Sequence, residues 1–162
     1  MATSSRWLST DERAAWLALV GVTIQLPAAL DQRLKKAAGL GLVDYHVLAG
    51  LSDAPDRTLR MSVLAEFAQA SLSRLSQMVG RLEKRGWVRR QPDPTDGRYT
   101  LATLTDAGLA ALEGLAPQHV EDVRELVFDQ LEPEQVEQML AISQRILSVV
   151  RPDRSWETPT TP

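Results

Sequence analysis

At 162 residues, 44% of them hydrophobic, the chain suits a single domain, or a small domain with an added dimerisation layer. The absence of cysteine excludes disulfides, thiolate metal sites and a cysteine-based oxidation switch, and a net charge of −3 argues against indiscriminate binding to nucleic acid. No uninterrupted apolar run approaches the roughly 18 residues of a bilayer span and the opening MATSSRWLST has no apolar h-region, so no membrane segment and no secretory signal is expected, and the expected location is the cytoplasm.

Residues 1–8 read as a loose arm. Ser9 and Glu12 then have the S-x-x-E spacing of a capping box, in which each side chain accepts the other residue's amide. A long helix follows over 9–38, carrying Trp16, Leu17, Val20, Ile24, Leu30 and Leu34, with a kink expected at Pro27 because its ring clashes with the preceding turn. Its apolar residues cover more than one face, which suits a dimer interface with a pocket wall, or the core helix of a monomer. After the glycines at 39 and 41, a second helix over 42–51 points Val43, Val47, Leu48 and Leu51 inward. Residues 52–56 are a loop by composition, and 58–60 form a short strand able to pair with a later hairpin. A third helix over 62–69 uses Leu64, Ala65 and Ala68 to pack on the helix that follows.

That next helix, over 71–85, organises the chain. At about 100° per residue, Leu72, Leu75, Met78, Val79 and Leu82 share one face, and Ser73, Arg74, Gln77, Arg81 and Lys84 share the opposite one. Ser71 is placed to cap its N-terminus, and Gly86 to stop it. Arg can bridge guanine O6 and N7, Gln can bridge adenine N6 and N7, and Ser can bond to bases or phosphates. Ser71, Ser73, Arg74, Ser76, Gln77 and Arg81 are therefore the candidate DNA contacts of this helix, whereas an isolated helix of this kind would read as an ordinary amphipathic surface helix.

Two segments rich in β-branched and aromatic residues, 87–91 and 98–104, flank the turn cluster PDPTDG, whose Asp-Gly is a strong hairpin signal. A helix followed by a basic-flanked hairpin is the layout of a winged helix-turn-helix, with the helix in the major groove and the hairpin tip on a minor groove or the phosphates. Residues 71–105 hold seven Arg or Lys against three Asp or Glu, so this segment is +4 and the remainder −7. Such a local positive patch on an acidic protein marks a surface that meets an anionic polymer.

Beyond the wing, Thr105 and Asp106 cap a helix that carries Leu109, Leu112, Leu115, Val123, Leu126 and Val127 towards residue 130, and Pro117 is expected to kink or break it. Pro133 opens the last helix, with Val136, Met139, Leu140, Ile146, Leu147 and Val150 at helical spacing. Residues 119–137 hold seven acids and one Arg, a solvated face expected to lie away from DNA. The chain divides into an arm over 1–8, a dimerisation helix over 9–38, a winged helix-turn-helix over 39–105, dimerisation helices over 106–150 and a disordered tail over 151–162. The fold class is mainly α with a small β-hairpin wing: a winged helix-turn-helix plus a helical dimerisation layer.

Asp96-Gly97-Arg98 followed by Leu104-Thr105 resembles the D-x-R…L-T wing signature of the MarR family of transcriptional regulators, and the run from Leu64 through Ser71 to Val88 resembles its helix-turn-helix line. The resemblance covers roughly residues 9–150. It implies a homodimeric regulator, here read as a repressor, that binds double-stranded DNA at a pseudo-palindromic operator and is released by a small aromatic or phenolic effector. On the wing it implies that Arg98 reaches the DNA, with Asp96 orienting it. The sequence departs from the family at Gln69, where glycine is common, and at Gly80 on the exposed face of the reading helix.

An enzyme is not expected: there are two histidines, His46 and His119, and no G-x-S-x-G, Walker loop or His-x-x-x-His pair. No cofactor and no metal site is expected either. For an effector, Trp16, Tyr45 and His46 are the polar-tipped candidates, with plain core packing as the competing reading for the two aromatics. A winged helix used only for protein contact or scaffolding is the alternative to operator binding; the basic wing and the polar helix stripe weigh against it.

Overall fold

The computed structural model describes residues 6–150, so the start of the expected arm and the whole expected tail lie outside the described residues. The elements in order are α1 (Thr10–Ala38), α2 (Leu42–Ser52), β1 (Thr58–Arg60), α3 (Met61–Phe67), α4 (Leu72–Lys84), β2 (Val88–Pro92), β3 (Thr100–Leu104), α5 (Asp106–Leu126) and α6 (Pro133–Val150). They form two compact units, one ending at Leu42 and the other beginning at Val43.

In the first unit α1 starts at a complete capping box: Ser9 Oγ accepts the Glu12 amide at 3.1 Å and Glu12 Oε2 accepts the Ser9 amide at 2.7 Å. It ends at Gly39, whose φ of 60° suits a residue without Cβ. The helix continues through Pro27 as a single element. Asp31 accepts the Leu42 amide at 2.9 Å and pairs with Lys35 at 2.6 Å, which together hold its carboxyl below the usual range, the lysine more strongly. Trp16, Leu17, Leu19, Val22 and Ile24 are all exposed. By length and composition alone α1 is long and apolar enough to span a bilayer, with a best-window mean hydropathy of 1.5, although it holds no uninterrupted apolar run of that length. Scattered Gly, Thr and Gln interrupt any continuous apolar run there but lower the window average little.

The second unit is built around Val47, Leu48, Leu51, Leu64, Leu75, Val79 and Leu82, none more than 1% exposed. Each such side chain contributes roughly 1.5–3 kcal/mol by leaving water. The sheet is antiparallel in the order β1-β3-β2, with Leu59 opposite Ala102 and Arg90 opposite Ala102 on the other side. The strand expected at 58–60 therefore does pair with the wing. The Asp-Gly turn does not form the expected tight hairpin. The strands are joined instead by a longer loop closed by Asp93 N donating to Tyr99 O at 2.9 Å, and Gly97 stays out of the left-handed region. Pro92 and Pro94 have no amide to donate, so the ladder cannot continue to the Asp-Gly step.

Between α3 and α4, Gln69 takes a φ of 50°, the conformation that glycine would adopt freely, and its Nε2 donates to Glu66 O at 2.7 Å. This explains how a glutamine fills a turn where glycine is common. Helix α4 begins at Ser71, whose hydroxyl accepts the Arg74 amide at 3.2 Å, and it is terminated by Gly86 at a φ of 74°. Helix α5 runs through Pro117 without breaking and gives way near residue 127 to a single turn, Phe128–Gln130, earlier than the sequence pattern suggests. On α6, Leu140, Ile142, Ile146, Leu147, Val149 and Val150 are exposed.

Two glycines make opposite predictions. A Cβ on Gly108 would overlap the Trp87 carbonyl oxygen and lie 2.7 Å from Leu104 Cδ1, whereas one on Gly80 would meet only Arg90 Nη2 at 3.8 Å. Gly108→Ala is expected to cost about 1–3 kcal/mol or more, and Gly80→Ala to stabilise by about 1 kcal/mol. Urea unfolding of both variants checks the pair, and an unchanged midpoint for Gly108→Ala would contradict the packing.

Candidate nucleic-acid interface

Helix α4 turns its apolar residues inward from Leu75 onward and leaves Ser71, Ser73, Arg74 and Gln77 exposed around its first turns. Leu72 does not join the buried stripe: it is 55% exposed, because the stripe starts one turn later than the wheel suggests. Ser76 is half-buried and accepts a hydrogen bond from Arg90 Nη1 of β2 at 3.2 Å. Arg90 also grips Glu83 of α4, with Nε at 3.0 Å and Nη2 at 2.6 Å from Oε2, while its backbone amide donates to Oε1 at 3.1 Å. These bonds hold the Glu83 carboxyl below its ordinary pKa. They also fix the wing to the reading helix. Arg81, a candidate DNA contact by sequence, reaches back to Asp44 of α2 at 3.0 Å, so its first role here is to brace α4.

At the wing tip Arg98 is 84% exposed along its side chain, and Asp96 holds it through Nε at 2.9 Å and Nη2 at 2.7 Å. Asp96 also accepts the Arg98 amide at 3.1 Å. The pair lowers the Asp96 pKa and raises that of Arg98. Below the tip, Asp93 is buried and collects the Thr95 hydroxyl at 2.6 Å, the Thr95 amide at 2.8 Å and Arg60 Nε at 2.9 Å. The Arg60 guanidinium lies 4.3 Å from the centre of the Tyr99 ring. The tip is thus a bonded loop that presents Arg98 in a set direction. Between α4 and the wing lies a cleft of about 230 Å³ whose lining includes Ser62, Ser76, Thr100, Arg90, Arg98 and Leu72. Hydroxyls and guanidiniums around one slot suit the oxygens of a phosphate backbone.

Of the residues singled out for an effector, Trp16 belongs to the first unit and Tyr45 and His46 to the second. Trp16 stands 55% exposed on α1 of the first unit. In the second unit Tyr45 is buried and His46 is exposed on α2. The structure adds His119 of α5, whose ring centre lies 4.3 Å from that of Tyr45. His119 Nδ1 is buried and has no hydrogen-bond partner among the described residues. Burial holds His119 below its ordinary pKa despite Asp122 nearby.

Comparison with known proteins decides the family. The chain superposes on Sco3205 of Streptomyces coelicolor, a MarR family transcriptional regulator solved in complex with DNA, with a TM-score of 0.85, 40% identity and coverage of 95% of this chain and 96% of that one. The chain belongs to the MarR family of transcriptional regulators. AbsC of the same organism, another MarR family regulator, matches with a TM-score of 0.83, 34% identity and coverage of 92% of this chain and all of AbsC. The MarR family model itself matches residues 38–98. The HTH-type transcriptional regulator PecS of Dickeya dadantii is 31% identical over 108 residues, and that match covers 65% of this chain and 64% of PecS. The chain thus spans just under two thirds of that curated relative.

Within this MarR fold, sequence reasoning missed Arg60, Asp93, Arg90 and His119. The opposite charges of Glu83 and Arg90 were a usable signal for the first tie between helix and wing. The Asp93 network and the meeting of His119 with Tyr45 depend on contacts distant in sequence, which no periodicity reveals.

Asp93 predicts a pH dependence. Its carboxyl falls from 3.8 to about 2, chiefly through the Thr95 hydroxyl and amide and then Arg60. A depressed carboxylate pKa contributes stability that is complete above the unfolded value and is lost as pH falls through about 2. Asp93→Asn is therefore expected to be less stable at neutral pH and to show a shallower decline between pH 4 and 2, read from urea midpoints across that range.

Proposed function

We propose that this protein is a cytoplasmic transcriptional repressor that binds a pseudo-palindromic operator as a homodimer. The observation that carries the reading is the pairing of an exposed Ser73/Arg74/Gln77 edge on α4 with an Arg98 held outward by Asp96 on the wing. Each α4 enters a major groove, where Arg74 and Gln77 meet base edges, and each Arg98 enters the adjoining minor groove. Ser62, Ser76, Thr100 and Arg90 face the strand that passes between them, and Ser71 supplies the cap that fixes the start of the reading helix. The DNA-bound state of the relative Sco3205 supports the same reading.

The homodimer rests on the exposed apolar residues of α1 and α6, too many to leave in water on a soluble regulator. This covers the apolar length of α1 with a second copy of the chain rather than with lipid. Two chains then place their reading helices in half-sites about one helical turn apart.

The test begins with in vitro selection of a binding sequence, followed by sedimentation of the complex, which should hold two chains per operator. Arg74→Ala and Gln77→Ala are expected to weaken binding by about 1–3 kcal/mol each and to relax specificity at defined base pairs. Arg98→Ala should weaken binding and flatten the salt dependence, and Asp96→Ala should do so in part. Unchanged affinity and salt slope for Arg98→Ala would leave the wing without a role on DNA. A protein that enriches no sequence and is not retained by DNA would instead favour the scaffolding alternative.

Release by a small aromatic carboxylate or phenol is the second part of the proposal. The orphaned His119 Nδ1 beside the Tyr45 ring supports it, as a polar atom awaiting a partner next to an aromatic face. His46 flanks this place, while Trp16 belongs to the exposed apolar surface of α1 in the first unit. Titrating benzoates and phenols against the protein–operator complex should dissociate it, and His119→Leu should blunt the response while leaving operator binding intact. Equal release of His119→Leu and parent would place the effector elsewhere.

A further inference from the structure

Leu72 is the first residue of α4, and it is the one apolar side chain of that helix left in water. It is 55% exposed, while Leu75, Met78, Val79 and Leu82 are at most 5% exposed. Nothing in the helix requires leucine there. The cap is supplied by Ser71, the buried stripe begins at Leu75, and the first helical position tolerates almost any residue. Its surroundings narrow what could cover it. Ser73 and Arg74 stand exposed beside it, and it lines the same cleft as Arg90, Arg98, Ser76 and Thr100. The exposed Arg98 guanidinium and the hydroxyls suit a polyanion, and Met61 and Tyr99 of the same lining add apolar surface beside Leu72, so the occupant combines a negative backbone with a small apolar feature. In the major groove of DNA that feature is the 5-methyl group of thymine.

We propose that Leu72 makes an apolar contact with the 5-methyl group of one thymine in each half-site and thereby sets the base preferred at that position. The proposal rests on the operator-binding reading above. The contact needs no hydrogen bond: burying a methyl group against an exposed leucine removes both from water, which is worth about a fourfold change in affinity.

The experiment uses the full chain and the operator duplex recovered by in vitro selection. Each thymine is replaced in turn by deoxyuridine, which removes the methyl group and leaves base pairing and the O4 acceptor unchanged. For the parent protein, one thymine in each half-site should be sensitive, with binding about fourfold weaker after replacement. Leu72→Ala should bind the thymine and uracil duplexes equally, and Leu72→Met should keep most of the discrimination. A parent protein indifferent to every replacement overturns the proposal, with no variant needed. So does Leu72→Ala that retains full discrimination. Selection that enriches no sequence overturns the operator reading itself, whereas a recovered operator blind to deoxyuridine overturns only the role of Leu72.

Discussion

Reading helix, wing and α5 are joined at one short stretch of backbone, the peptide between Gly86 and Trp87. Gly86 ends α4 in the left-handed region, and the Trp87 amide donates back to Leu82 O at 3.1 Å. Thr105 closes the same point from the far side of the wing: its hydroxyl donates to Gly86 O at 2.7 Å and approaches Trp87 O at 3.1 Å, while its amide donates to Trp87 O at 3.0 Å. The same hydroxyl accepts the Gly108 amide at 3.0 Å and so starts α5. One threonine thus sets the end of α4, the last residue of the wing and the first turn of α5. Gly108 is without a side chain because the Trp87 carbonyl occupies the space that a Cβ would need.

This junction gives a physical route between the two ends of α5. Its first turn is bonded to the base of the wing, and eleven residues beyond Gly108 its His119 packs on the Tyr45 ring of α2. α2 in turn holds Arg81 of the reading helix through Asp44. A rotation of α5 against α2 would therefore reach α4 by two paths, the Thr105 bonds and the Asp44–Arg81 pair. The Arg81–Asp44 bridge joins an exposed guanidinium to a largely covered carboxylate, so it ties α4 to α2 from the solvent side.

Much of this was legible in sequence wherever a local rule governed. Ser9 with Glu12, Ser71, Gly86 and Thr105 all cap or stop helices as their spacing suggests, since a cap needs only its own next turn. The strand at 58–60 and the Asp96–Arg98 pair were equally readable. The prolines do not break their helices. Pro27 and Pro117 each remove one amide from a long helix, and the remaining hydrogen bonds and packing carry the helix across the gap. Leu72 shows the limit of a helical wheel, which assigns a face but not where along the axis the neighbouring elements stop covering it. His119 and Arg90 show another, because their partners are 74 and 7–14 residues away and are chosen by the fold.

The charges of the reading segment divide by task. Arg60, Arg81 and Arg90 each have a carboxylate partner in Asp93, Asp44 and Glu83, so their positive charge is largely spent within the protein and they act as struts. Arg98 also has a partner, but Asp96 grips it from one side and leaves most of the guanidinium in water, which fixes its direction without covering it. An arginine paired inside the protein offers less charge to phosphates. Affinity for DNA then depends less on counterion release and more on the fit of a small number of side chains to base edges. Such a division suits a chain of net charge −3, whose sequence-independent attraction to a polyanion is weak.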